Sequence, residues 1–232
     1  MVVAIIPARG GSKRIKDKNI KGFAGKPVIC HSIAAARAAG IFHRIIVSTD
    51  SPKIAAVARG CGAETPFMRP ASLADDHTPT APVLTHALET LREGGDAPAH
   101  ACCIYAAAPF VTPGDLRAGH DLLIETGASA AFSVTTFPAP VFRALEIGPA
   151  GNLSMLWPEH ELTRSNDLPE AYHDAGQFYW VHVERFLASG RLYATDALPV
   201  VLPRHRVQDI DTEEDWRRAE LMHAVLAREA GA

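Results

Sequence analysis

Apolar residues fall along the 232-residue chain in short runs separated by stretches of helical period. The first run, Val2-Val3-Ala4-Ile5-Ile6, is continuous and rich in β-branched residues, the pattern of a strand buried on both faces. A loop of Gly, Lys and Arg follows from Pro7 to about Lys26. Pro27 stands where a helix can begin, and Val28 to Ala39 keeps helical spacing until Gly40 stops it. Arg44 to Ser48 reads as a second strand, Pro52 to Arg59 as a helix and Ala63 to Phe67 as a short third strand. The prolines, aspartates and threonines of 69–82 read as a loop. A helix over about 83–92 leads past Gly94-Gly95 to a strand at 101–106. Thr112-Pro113-Gly114-Asp115 then has the form of a helix start that runs to Gly127, and Ala130 to Thr136 is the next strand.

Strands alternating with helices predict right-handed crossovers and an α/β fold, a mostly parallel sheet with helices on both faces. The alternation stops after Phe137. Four prolines (Pro138, Pro140, Pro149 and Pro158) and a turn near Gly148–Asn152 mark a small lobe with a hairpin, inserted at about 138–173 into a single domain spanning 1–232. Gln177 to Val183 returns to the sheet and Val207 to Ile210 is expected as its last strand. Thr212-Glu213-Glu214-Asp215 opens a C-terminal helix that runs to about Arg228.

Composition narrows the class. Hydrophobic residues at 47% and charged residues at 21% suffice for a buried core. No run approaches the ~20 apolar residues of a membrane span, and Pro7-Ala8-Arg9 cuts the first apolar run too short for a secretory signal, so a cytoplasmic protein is expected. The four cysteines show no C-x-x-C pair, which predicts reduced, buried thiols and no zinc or redox site. A net charge of −3 argues against a nucleic-acid or membrane partner. Against that background, Arg9, Lys13, Arg14, Lys16, Lys18, Lys21 and Lys26 stand with only Asp17 among them.

That cationic loop follows the first strand, at the carboxyl edge where open α/β sheets bind ligands. Gly10-Gly11-Ser12-Lys13 lets backbone N–H groups converge on an anion, while Arg9 and Lys13 supply charge. The spacing is neither the ATPase loop G-x-x-x-x-G-K-S/T nor the dinucleotide G-x-G-x-x-G. Asp209-Ile210-Asp211, read at strand spacing, turns two carboxylates to one side and Ile210 inward, a pair suited to Mg²⁺. The eleven histidines lack H-E-x-x-H spacing, and no G-x-S-x-G marks a nucleophilic serine. A triphosphate cradle facing a metal pair points to nucleotidyl transfer. A glycosyltransferase shares the carboxylate pair but not the lysine-rich loop, and a nucleotide sensor has no need of the pair.

Ile6-Pro7-Ala8-Arg9-Gly10-Gly11-Ser12-Lys13 with Lys18-Asn19 resembles the N-terminal signature of the CMP-sialic acid synthetase (acylneuraminate cytidylyltransferase) family. Ser48-Thr49-Asp50, Arg69-Pro70 with Leu73-Ala74-Asp75-Asp76, Arg164 to Pro169, and Gln208 to Thr212 follow in that family's order. The resemblance implies a Rossmann-like nucleotide-diphospho-sugar transferase fold, a homodimer built with the lobe, Mg²⁺ as cofactor, and CTP and a nine-carbon acidic sugar as substrates. It implies triphosphate contacts from Arg9, Gly10, Gly11, Ser12, Lys13 and Lys18, and cytidine contacts from Asn19 and Arg69. Asp209 and Asp211 would hold the metal, with Arg9 and Lys13 sharing the catalytic role. Tyr105, Arg164, Gln177, Phe178 and Tyr179 are its sugar-side positions. Where the family's sialic acid members carry glutamine followed by Pro-Thr-Ser-Pro, this chain has Tyr105 followed by Ala106-Ala107-Ala108-Pro109. With Cys103 to Phe110, Tyr172 to Trp180 and Leu202 to Gln208, that departure favours an acid of the pseudaminic type over sialic or legionaminic acid.

Overall fold

A computed structural model describes residues 1–230. Six strands form the central sheet: β1 (Val2–Pro7), β4 (Arg44–Ser48), β5 (His100–Ile104), β6 (Ala130–Thr136), β9 (Tyr172–His182) and β10 (Leu198–Val201). They lie in the order β10-β6-β9-β5-β1-β4, and all run one way except β9, which is antiparallel to β5 and β6. Residues Val3 to Ile6 are wholly buried, as the unbroken apolar run requires. The chain leaves β1, pairs β4 on one side and returns to pair β5 on the other. This reversal opens a crevice beyond the carboxyl end of β1, where ligands of open α/β sheets sit.

Helices cover both faces. On one, α1 (Val28–Ala39), α2 (Pro52–Gly60) and α4 (Pro113–Thr126) pack Ile29, Ile33, Ile54, Leu116 and Leu123 against Ile6, Phe178 and Trp180. On the other, α3 (Thr80–Glu93) and α5 (Val183–Ser189) set Leu84, Leu88 and Phe186 against Ile5, Cys103 and Tyr179. The helix starts follow the sequence closely. Thr112 and Asp115 form a reciprocal capping box at α4. Thr212 and Asp215 form another at α6 (Glu213–Ala230): Asp215 N donates to Thr212 Oγ1 at 3.2 Å and Thr212 N to Asp215 Oδ2 at 2.9 Å. The cationic loop is pinned from below, where Ile15, Phe23 and Val28 join Trp216, Ala219 and Ile210 in a third cluster. Within that loop, β2 (Gly22–Phe23) and β3 (Lys26–Pro27) form a minimal hairpin. In the lobe, β7 (Leu145–Ile147) and β8 (Leu153–Met155) turn through Gly148–Asn152.

Five expectations change. Ala63 to Phe67 is reduced to one bridge, Ile46 to Glu64, because Pro66 has no N–H to continue a ladder. Val207 to Ile210 is not a strand: β10 already occupies the edge of β6, and Leu198–Val201 tolerates Pro199 because it lies at that edge. Helix α5 was not expected, and β9 begins at Tyr172, well before Gln177. The thiols are not all reduced either. Cys30 on α1 and Cys61 at the end of α2 are joined in a disulfide with a Cα–Cα distance of 5.5 Å, while Cys102 and Cys103 remain free in the core. The two helices meet on one face of the sheet, a proximity that a separation of 31 residues does not announce. Burial pushes the Cys103 thiol up to about 12 and Cys102 well above its ordinary value, so both stay protonated and inert.

Gly119 on α4 marks the closest approach of helix to sheet. A Cβ there would lie 2.6 Å from Trp180 Cδ1 and 3.1 Å from Phe178 Cε2. Gly→Ala inside a helix ordinarily stabilises by up to about 1 kcal/mol. Here overpacking against a buried indole costs about 1–3 kcal/mol and wins. Gly119→Ala is expected to lower Tm by several degrees in a thermal melt, and a raised Tm would show that the contact is not tight.

Candidate active site

The cleft beyond β1 has a volume of about 260 Å³. Its walls include Arg9, Ser12, Lys13, Arg14, Lys18, Asn19, Arg69, Thr78, Thr80, Tyr105, Asp209 and Asp211. The glycine turn that follows β1 is set by β4. Ala8 N donates to Ser48 O at 2.9 Å and Gly10 N to Asp50 Oδ1 at 2.8 Å. A Cβ on Gly10 would stand 3.0 Å from Ser51 Cβ, so the turn can press against β4's end only without a side chain. Gly11 has open space around its Cα. Asn19, almost fully buried, returns its Nδ2 to Arg9 O at 3.0 Å and so closes the loop on itself.

The seven cations of that segment separate into two sets. Arg9, Lys13, Arg14 and Lys18 line the cleft. Lys21 faces away, bonding Glu213 at 2.6 Å and lying 4.5 Å over the Trp216 ring, and Lys16 and Lys26 are exposed. Arg69 is buried, with Nε on Ser48 Oγ at 3.2 Å, Nη2 on Ser48 O and Nη1 on Leu73 O at 3.4 Å. It therefore ties the 69–82 loop to the end of β4. On that loop Asp76 reaches Arg9 and Lys13, which hold its carboxyl near a pKa of about 2, Lys13 contributing most.

Asp209 and Asp211 flank buried Ile210 and line the same cleft. The i, i+2 alternation survives without a ladder, because Ile210 is anchored under the cationic loop. Lys18 Nζ binds Ile210 O at 2.6 Å and Asp211 Oδ1 at 3.2 Å, and Arg14 Nη2 lies 3.1 Å from the same oxygen. Asp209 makes no side-chain hydrogen bond among the described residues. Crowding by protein, then the charge of Asp211, pushes its carboxyl up. Beside it Gly176 takes the left-handed conformation (φ 62) that favours glycine, within van der Waals reach of the Asp209 carboxyl. A carboxylate unpaired and destabilised by its neighbour fits a divalent cation, which removes both penalties. Among the described residues no third acidic, cysteine or histidine side chain completes a cage. That donor set suits Mg²⁺, which takes its remaining ligands from water and phosphate.

The sugar-side positions scatter. Tyr105 lines the cleft, its hydroxyl 3.0 Å from Thr80 Oγ1. Behind it lies a second pocket of about 340 Å³, walled by Tyr105, Tyr179, Leu192 and Tyr193. Tyr179 and Tyr193 both donate to Asp174 Oδ2, and Gly176 N donates to Asp174 Oδ1 at 2.8 Å. Phe178 and Gln177 do not face either pocket. Strand alternation sends Phe178 into the core beneath α4, fully buried. Gln177, also buried, clamps the Arg206 carbonyl through Nε2 at 2.6 Å and so fixes the segment that carries Asp209. Arg164 is exposed on the lobe and does not line the cleft. Sequence reasoning left Asp50, Asp76, Thr78, Thr80 and Asp174 without roles. The Ser48-Thr49-Asp50, Leu73-to-Asp76 and Tyr172-to-Trp180 motifs carried a signal for Asp50, Asp76 and Asp174, and none did for Thr78 or Thr80.

A mostly parallel sheet with an anion cradle at its switch point and a carboxylate pair in the same cleft defines a nucleotide-binding α/β domain. Within that class the chain belongs to the cytidylyltransferase family, whose model matches residues 3–194, and it is a nucleotidyltransferase. It is 38% identical over 223 residues to the pseudaminic acid cytidylyltransferase of Campylobacter jejuni, which covers 96% of each chain. The CMP-N,N'-diacetyllegionaminic acid synthase of Legionella pneumophila is 31% identical over 94% of each chain. Among solved structures, CMP:2-keto-3-deoxy-manno-octonic acid synthetase complexed with CTP superposes with a TM-score of 0.69, covering 98% of this chain and 99% of that one at 16% identity.

Proposed function

We propose that this chain transfers CMP from CTP to the anomeric hydroxyl of pseudaminic acid and releases pyrophosphate. The observation that carries the reading is one cleft lined by Arg9, Lys13, Lys18, Asp209 and Asp211, with Tyr105 shared between it and an aromatic pocket. Gly11 and Ser12 present backbone and hydroxyl donors to the triphosphate, while Gly10, its N–H held by Asp50, sets the turn that aims them. Arg9 and Lys13 neutralise the charge that builds on pyrophosphate as it leaves, and Lys18 bridges the cradle to Asp211. Asn19 and Arg69, both buried at the cleft floor, stand at the cytidine end. Mg²⁺ held by Asp209 and Asp211 supplies Lewis-acid polarisation of phosphate oxygens. Positioning and charge neutralisation by preorganised groups carry most of a phosphate displacement of this kind.

Among the described residues no helix is long and apolar enough to cross a membrane. We place the reaction in the cytoplasm on the ground that its proposed donor, CTP, is a cytosolic nucleotide. The lobe supports a homodimer. Leu145, Ile147, Leu153, Leu156 and Leu162 are exposed on it, Leu162 at 94%, and the lobe has no core of its own large enough to cover them. Arg164 stands on the same surface, out of the cleft of its own chain.

Three outcomes are expected. Light scattering of the purified chain gives about twice the mass of one chain, and a monomer at working concentration would remove the interface reading. Asp211→Asn keeps its shape and fold but loses turnover by about 10²-fold or more, because a metal-directed charge is gone. Turnover within about threefold of the parent, in a variant of parental Tm, would end the assignment. The third outcome is selectivity. The pocket behind Tyr105 offers aromatic and small apolar surface to the methyl terminus and acylamino groups of pseudaminic acid. A hydroxyl that loses its partner there costs about 1–3 kcal/mol. With CTP as donor, kcat/KM is expected to favour pseudaminic acid over legionaminic and N-acetylneuraminic acids by at least about tenfold, that penalty expressed as a rate ratio. Equal use of all three would leave cytidylyl transfer standing and overturn the pocket argument.

A further inference from the structure

Asp76 divides its two carboxylate oxygens between two cations of the cradle, Oδ1 on Arg9 Nη1 and Oδ2 on Lys13 Nζ. Phosphate binding gives this carboxylate no part to play, since it asks for a substrate anion at those same two groups. The loop that delivers it is tied at both ends. Arg69 anchors Leu73 O at 3.4 Å. Asp75 accepts the N–H groups of His77 at 2.9 Å and Thr78 at 2.6 Å, and the Thr78 hydroxyl at 2.7 Å, before α3 begins. Thr78 and Thr80, just beyond, line the cleft itself. The short span between the two anchors holds one carboxylate over the glycine turn. With its carboxyl near a pKa of about 2, Asp76 is charged throughout the physiological range.

We propose that Asp76 is the resident counter-ion of the cradle, displaced when the nucleotide's phosphates arrive and returning to Arg9 and Lys13 as pyrophosphate leaves. The inference rests on the phosphate-cradle reading above. Both ion pairs reach water: the Lys13 side chain is 80% exposed and Asp76 28%. Pairs of that kind are weak and screened, so a polyphosphate bearing several charges displaces the carboxylate without difficulty. A ligand that must enter a cradle occupied most of the time binds with its affinity reduced by the open fraction. Asp76 thus weakens the hold on pyrophosphate most where release needs it, and prevents four clustered cations from trapping the product. A second carboxylate does the same farther along the loop, where Asp211 meets Arg14 and Lys18. Asp211 belongs to the metal pair, whereas Asp76 has no other partner among the ion pairs of the described residues.

The test is isothermal titration of inorganic pyrophosphate and tripolyphosphate into the full chain without divalent cations, comparing the parent with Asp76→Asn, Asp76→Ala and Lys13→Ala. Both Asp76 variants are expected to bind the two anions about three- to tenfold more tightly, the gain of freeing an internally occupied site. Binding equal to or weaker than the parent's in either variant overturns the counter-ion role. A loop that Asp76 merely braces would loosen in these variants and lose affinity. Lys13→Ala is expected to bind more weakly. If it binds as tightly as the parent, or if no variant binds either anion, the cradle reading falls as well, an outcome distinct from failure of Asp76 alone.

Discussion

Four cations, Arg9, Lys13, Arg14 and Lys18, are set along one short loop at the end of a buried strand, and their mutual repulsion is the constraint to which the rest of the site answers. A loop so charged does not hold one conformation by itself. It is held because the chain brings carboxylates and buried apolar anchors to it from far away in sequence. Asp50 fixes the glycine turn, Asp76 and Asp211 meet the side chains, and Ile15 and Phe23 bury the loop's underside against Ile210 and Trp216. These partners come from the end of β4, the loop before α3 and the segment before α6. Only a folded sheet with β1 at its switch point assembles them, so the site and the fold form together.

This explains which parts could be read from the sequence. Strand β1 and helices α1, α4 and α6 were legible because their signals are local: an unbroken β-branched run, Gly40 as a stop, and the capping pairs Thr112–Asp115 and Thr212–Asp215. The cationic loop and Asp209-Ile210-Asp211 were legible as residue patterns, even though the latter is not on a strand. What escaped depends on contacts that no local pattern encodes. Leu198–Val201 becomes an edge strand because β6 has an open side, whereas Val207–Ile210 finds none. Cys30 and Cys61 meet because α1 and α2 share a face. Asp174 becomes a hub only once β9 sets Tyr179 beside it and Tyr193 arrives from beyond α5.

Strand β9, the one antiparallel member of the sheet, joins the two halves of the cleft. Gly176 gives the backbone room beside Asp209, Gln177 clamps the chain leading to it, Phe178 and Trp180 seal the core beneath α4, and Tyr179 faces the opposite side. Alternation along five consecutive residues therefore assigns one to the side of Asp209, two to the core and one to the pocket behind Tyr105, with Gln177 holding the register between them. Naming the whole stretch as ligand-binding, as a motif invites, overlooks that a period of two must send half of it away from any ligand.

The same alternation bears on why selectivity can reside in so few positions. The aromatic pocket is walled by Tyr105, Tyr179 and Tyr193, whose hydroxyls are already engaged: Tyr105 with Thr80, the other two with Asp174. Burial raises the pKa of all three phenols, so they remain neutral and their rings set the character of the wall. A glutamine at position 105 would offer both a donor and an acceptor to a sugar hydroxyl. Tyrosine in that place, bonded back to the protein, offers ring surface instead. A wall whose polar atoms are satisfied internally discriminates by leaving a misplaced hydroxyl without a partner, and that penalty needs no repulsive contact. On the proposed reading, cradle and carboxylates meet only phosphate and metal and are indifferent to which sugar waits there. The chemistry of transfer and the choice of acceptor are thus carried by different residues of one cleft, and Tyr105 stands at the boundary between them.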